Sequence, residues 1–157
     1  MRIQRPSTED LDLYQRAVDV LDAAHDPVIH QVAAALRTAD GQVFVGLHVG
    51  SRRVNVCAEA TAIANAEMSS AGPIASIVAV CRDESDRTIV TNPCGLCREL
   101  LGRYGADAWV LIDHAGDVVK VAAADLMPSP WMFPHENDWD VRDPTATPTD
   151  EDADARS

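Results

Sequence analysis

Two short stretches decide the reading: Cys57-Ala58-Glu59 and Pro93-Cys94-Gly95-Leu96-Cys97, with 37 positions from the first cysteine to the second. Three cysteines in this pattern can place three thiolates on one Zn²⁺. Three protein ligands leave the fourth tetrahedral position open, which is the arrangement of a catalytic zinc. Water takes such a position, and a carboxylate beside it can accept a proton and pass it on. Glu59 is placed for that task. A structural zinc would need a fourth protein ligand. Cys81 is the one cysteine left, and it sits in an apolar run, where cysteine behaves as a small core residue. A redox Cys-x-x-Cys would leave Cys57 and Glu59 without a role. A catalytically silent zinc module would have no use for Glu59.

The paired motif resembles that of the zinc-dependent cytidine deaminase family, in which a thiolate-held zinc, a non-ligand Glu and Pro-Cys-x-x-Cys occur together. In several details it is similar to the blasticidin-S deaminases of that family. The resemblance runs from about Asp26 to about Pro134. It implies an α/β fold of three layers, a mixed five-stranded sheet with helices on both faces. It implies hydrolytic deamination of an aminopyrimidine, namely cytidine, deoxycytidine or a close analogue, with release of ammonia. The alternative substrate is a cytosine-bearing antibiotic of the blasticidin S kind, or another amino-heterocycle without ribose. By the same resemblance Cys57, Cys94 and Cys97 hold the zinc, and Glu59 is general base and then general acid. The Ala58 backbone N–H holds the pyrimidine carbonyl, and Phe44 occupies the aromatic position of the second-strand motif.

Two departures from the family pattern stand out. At the end of the second strand the family carries Asn-x-Glu, which grips the ribose hydroxyls; here the positions are His48 and Gly50. Glycine cannot accept a hydroxyl, so ordinary cytidine is expected to bind poorly or to be replaced by another substrate, with His48 as the remaining candidate contact. Many tetrameric members also have Arg directly after the Glu, bonded to thiolates; here the residue is Ala60, leaving Arg52, Arg53 and Arg98 as candidates to offset the charge. Trp131, Phe133 and Trp139 form a C-terminal aromatic segment. Trp131 is a candidate to pack over a substrate pocket, with an aromatic cap on the core as the alternative.

The chain has 157 residues, 46% of them hydrophobic, enough for one domain with its own core. We place that domain at residues 1–142 and an acidic, disordered tail at 143–157, a stretch with too few apolar residues to bury surface. The net charge is −12, and eight acids against two arginines from Glu136 onward carry half of it. Nothing in this balance attracts a phosphate backbone, so a small molecule rather than a nucleic acid polymer is the expected partner. No apolar stretch is long enough for a membrane span, and no leader pattern is present. Cytoplasmic, reducing surroundings are therefore expected. The resemblance, together with short Ala-rich helices, predicts a homo-oligomer, specifically a tetramer.

Ser7 followed by acids predicts a helix N-cap, with a helix over Thr8–Ala24. Strands are predicted over 28–36 and 43–47, joined by a turn at Asp40-Gly41. A helix over 58–68 follows, then a buried strand over 74–81. A helix over 95–104 and two strands, 107–112 and 118–122, complete the fold. Both metal motifs thus open helices, whose free N–H groups and dipole stabilise thiolates.

Overall fold

Alternating burial along the central strands builds the layers. The computed structural model describes residues 1–133 and His135. In chain order the first elements are β1 (Ile3–Gln4), α1 (Thr8–Ala24), β2 (Val32–Thr38) and β3 (Val43–Leu47). A small hairpin, β4 (Val49–Gly50) and β5 (Asn55–Val56), leads into α2 (Ala58–Met68). Then come β6 (Ile74–Arg82), β7 (Thr88–Val90), α3 (Gly95–Tyr104), β8 (Trp109–His114) and β9 (Asp117–Ala122). A 3-10 turn at Ala123–Leu126 follows.

The sheet order is β1-β9-β8-β6-β2-β3, with β7 beside the far end of β6. Only β6 and β8 are parallel; the other pairs run antiparallel. One face, Ala33, Ala35, Val78, Val80 and Leu111, packs on Leu13, Ala17 and Leu21 of α1. The opposite face, Ala34, Leu36, Ile77, Ala79, Val110 and Ile112, meets Ala62, Ile63 and Ala66 of α2 and Leu101 of α3. Successive strand residues point to opposite faces, so each strand serves both layers. This is the expected three-layer α/β arrangement.

The five expected strands are present, and two short ones, β1 and β7, raise the count to seven. The first of the five begins at Val32, not at Val28. The Asp26 carboxylate accepts the N–H groups of Val28 and Ile29, at 2.8 and 3.0 Å, and turns the chain there. The proposed tail at 143–157 and Trp139 lie outside the described residues.

Two local features hold the site's supports. Gly46 lets α2 lie directly on edge strand β3: a Cβ there would stand 2.2 Å from the Ala58 carbonyl and 2.3 Å from the Ala62 nitrogen. Thr61 and Asn65 of α2 donate to the Leu47 and Val45 carbonyls at 3.0 and 3.3 Å. Asp10, in sequence a first-turn helix acid, is fully buried. It accepts Ser7 N–H at 2.8 Å, the Ser76 hydroxyl at 3.3 Å and Lys120 Nζ at 2.9 Å. Burial opposes its ionisation, but the bonds from Ser7 and Lys120 prevail and hold its carboxyl below the usual value.

Gly46→Ala therefore has no room without moving backbone. It should destabilise the protein by about 1–3 kcal/mol or more, read as a lower melting temperature, and shift the start of α2. A wild-type melting temperature would show that α2 does not depend on this close approach.

Candidate active site

The starts of α2 and α3 meet, and each presents cysteine. Cys57 is the N-cap of α2 and Cys94 the N-cap of α3, both with extended backbone and no side-chain cap. Cys97 lies one turn into α3 and is fully buried. Cys57 Sγ and Cys94 Sγ are 3.5 Å apart, and all three sulfurs fall within 4.8 Å of one another. Cys81 is not in this group: it lies half-buried on β6. No fourth His, Cys, Asp or Glu joins the three among the described residues.

The thiols show why the donor set suits a divalent cation. Burial pushes the Cys97 thiol far up, and the Glu59 charge adds to that. Burial and then the Cys94 contact raise Cys57. Burial opposes ionisation of Cys94 too, but the backbone N–H groups of Cys97 and Leu96 and the neighbouring thiols bring it below its ordinary value. Three thiolates so close repel one another, and a divalent metal supplies the compensating charge. Three sulfurs at two helix N-termini, without a fourth ligand, fit a zinc with one open position.

Glu59 occupies the first turn of α2 and is 6% exposed. Its carboxylate has no hydrogen-bond partner among the described residues, while its charge is felt at Cys57 and Cys97. A void of about 10 Å³ lies beside it, bordered by Thr91, Pro93 and Leu101, too small for a substrate ring. The segment before Cys94 is pinned by Asn92, which accepts Asp113 N–H at 2.8 Å and donates to the Asp113 carbonyl at 3.0 Å.

A profile of the cytidine and deoxycytidylate deaminase zinc-binding region matches residues 7–113. The chain belongs to this family. Blasticidin-S deaminase of Bacillus cereus is 39% identical over 128 residues, 78% of this chain and 91% of that protein. Cytidine deaminase of Mycoplasma pneumoniae is 31% identical over 101 residues, 62% and 74% of the two chains. Among solved structures, cytidine deaminase from Burkholderia pseudomallei superposes with a TM-score of 0.65 at 30% identity, covering 77% of this chain and 98% of that one. The Bacillus anthracis cytidine deaminase, at 23% identity and a TM-score of 0.67, supports the fold. The protein is thus a zinc-dependent deaminase, as the cysteine pattern predicts, and no helix among the described residues is long and apolar enough to cross a membrane.

The other expected site residues fare differently. Ala58 is buried at the first position of α2, where a helix leaves its N–H without an intrahelical partner. Phe44 is half-buried and packs against the core beneath α2. His48 is 8% exposed, and both ring nitrogens are engaged: Nδ1 with Gln31 N–H at 3.3 Å, Nε2 with Asn55 Oδ1 at 3.0 Å. Trp131 is 70% exposed and stacks edge-on to Phe133 with ring centres 4.5 Å apart. It borders a cavity of about 650 Å³ with Arg98, Gly102, Met127 and Pro128, none of which is a metal-site residue. Arg98 donates to the Pro93 and Leu126 carbonyls, at 2.9 and 3.3 Å. Arg52 and Arg53 sit exposed in the turn between β4 and β5. No arginine among the described residues hydrogen-bonds a cysteine sulfur, so helix N–H groups carry that task at Cys94. The contact of Asn55 with His48 left no signal in the sequence, because Asn55 lies in an irregular polar link.

Cys94→Ala should lose zinc and stability together, because binding is coupled to folding. Metal content by atomic absorption and a thermal melt check this: full zinc retention would refute the ligand set.

Proposed function

We propose that the chain hydrolyses the exocyclic amine of a cytosine-type base, and that ordinary cytidine is a weak substrate. The observation that carries the reaction is the uncommitted carboxylate of Glu59 beside three thiols at two helix N-termini. Zinc held by Cys57, Cys94 and Cys97 would supply Lewis-acid chemistry, making water acidic enough to attack at neutral pH. Glu59 takes the proton of the attacking water and gives it to the ring nitrogen N3. It then carries a second proton to the amine, which leaves as ammonia while the ring carbon becomes a carbonyl. The Ala58 N–H is the donor for the pyrimidine carbonyl. Phe44 enters as an aromatic neighbour of the base, and Trp131 as a wall supplied from a neighbouring copy, both through the family resemblance alone.

The weak use of cytidine rests on positions 48 and 50. Gly50 has no side chain, and both ring nitrogens of His48 are already used. Each lost hydroxyl contact costs about 1–3 kcal/mol, so two amount to roughly 10²-fold or more. The 39% identity to blasticidin-S deaminase supports the alternative, a cytosine-bearing antibiotic of that kind, as the preferred substrate.

A homotetramer belongs to the same proposal, as do the cytoplasm as its location and the 1–142 domain with its tail. Light scattering at micromolar concentration should return about four chains per particle; a monomer would refute the assembly. Ammonia release over cytidine, deoxycytidine, cytosine and blasticidin S tests the reaction, and failure on every cytosine compound would overturn it. With any substrate so found, Glu59→Gln should keep zinc but lose several orders of magnitude in turnover, on the order of 10²–10⁴-fold for the proton relay alone. Near-normal turnover would remove Glu59 from the mechanism.

A further inference from the structure

Cys94 is the metal ligand that the core holds least. Pro93 and Cys97 on either side of it are buried, but Cys94, Gly95 and Leu96 are exposed. Nothing lies within 4 Å of the point where a Gly95 side chain would begin. The N-cap position of α3 carries a thiol in place of the hydroxyl or carboxylate that ordinarily fixes a helix start. Packing and capping therefore leave the orientation of Cys94 open.

Arg98 supplies what they do not. Its backbone N–H donates to the Cys94 carbonyl at 3.0 Å, the ordinary bond of a helix. Its side chain folds back, and Nε–H donates to the Pro93 carbonyl at 2.9 Å. Those two carbonyls belong to the two peptide planes that flank the Cys94 Cα. Peptide planes are rigid, so holding both fixes the two backbone torsions of Cys94 and the direction of its thiol. The Pro93 carbonyl lies outside the helix and meets no other donor among the described residues. Arg98 is itself half-buried, and its Nη1 donates to the Leu126 carbonyl at 3.3 Å, at the end of the 3-10 turn that packs on α3. Its positive charge near the start of α3 works slightly against the helix dipole, so the gain comes from the bonds. None of them goes to a sulfur.

We propose that Arg98 is a positioning residue for the metal: it clamps the backbone of Cys94 so that this exposed thiolate meets the zinc already aligned with Cys57 and Cys97. The inference rests on those three residues being the ligand set. A guanidinium fork can reach two carbonyls at once, which a single ammonium group cannot do in the same geometry. Without the clamp, Cys94 can swing away and the zinc is left on two sulfurs while it does.

The test challenges zinc-loaded protein with excess chelator and follows zinc loss with a chromogenic indicator. Arg98→Met keeps the apolar stem and loses every side-chain donor. It should release zinc about tenfold faster or more, the usual effect of removing a group that holds a metal ligand from outside. Arg98→Lys keeps the charge and reaches one carbonyl, so its rate should fall between. Arg103→Met removes the same charge from the same helix, where Arg103 is exposed and has no hydrogen bond or ion pair among the described residues, and should release zinc at the native rate. Co²⁺ in place of zinc gives a second readout. Its visible absorption reports the ligand geometry, and Arg98→Met should weaken or shift those bands. A residue that only steadied the fold would lower the melting temperature and leave them unchanged. Unchanged cobalt bands in Arg98→Met overturn the proposal, and so does a native release rate. Equal acceleration in Arg103→Met overturns it too, because charge would then be the cause. Native protein that takes up neither metal would overturn the ligand set and the clamp together, whereas a metal-loaded protein indifferent to Arg98→Met overturns the clamp alone.

Discussion

Everything at this site depends on bringing two helix N-termini together on one side of the sheet. Thiols are poor anions when buried, and the Cys97 thiol shows how strongly burial resists ionisation. The peptide N–H groups at the start of α3 work against that resistance at Cys94. A metal then completes the balance that no side chain among the described residues supplies, since Ala60 stands where an arginine would serve and Arg98 is committed to two carbonyls.

That convergence is set by packing some distance away. α2 takes its position because β3 has glycine at 46, which brings helix backbone against strand backbone. Thr61 and Asn65 then satisfy the outer carbonyls of an edge strand that would otherwise invite pairing. α3 is held through Asn92, which ties the approach to Pro93 to the end of β8. On the other face, Asp10 joins α1 to β6 and β9 through Ser76 and Lys120. A buried carboxylate with these partners is specific as well as stabilising, because any other docking of α1 would strand its charge.

The metal-site groups and the departures from the family pattern sit on different parts of the chain. The thiols and Glu59 belong to helix starts packed against the core. His48 and Gly50, where the family resemblance expects the sugar contacts, belong instead to the β4–β5 hairpin and the residue that leads into it. Such a hairpin can change its residues without disturbing the sheet.

The reaction class was legible in sequence because metal ligands are few, chemically distinctive and bound to short spacings: Cys57, Glu59, Cys94 and Cys97 read as one site before any coordinates. The three helices were equally legible, since Ser7, the Ala-rich run after Cys57 and the turn signals mark their ends locally. The strand at 28–31 misled because its branched residues favour extended chain, and only the Asp26 carboxylate, reaching two and three residues ahead, turns it. The buried state of Asp10 was out of reach because Lys120, its partner, is far along the chain. His48 was visible as a departure, but its commitment to Gln31 and Asn55 was not. Local sequence determines which groups exist and which short segments they start. Which of them are left free for a substrate is decided by long-range hydrogen bonds and packing, and these exist only once the sheet has assembled.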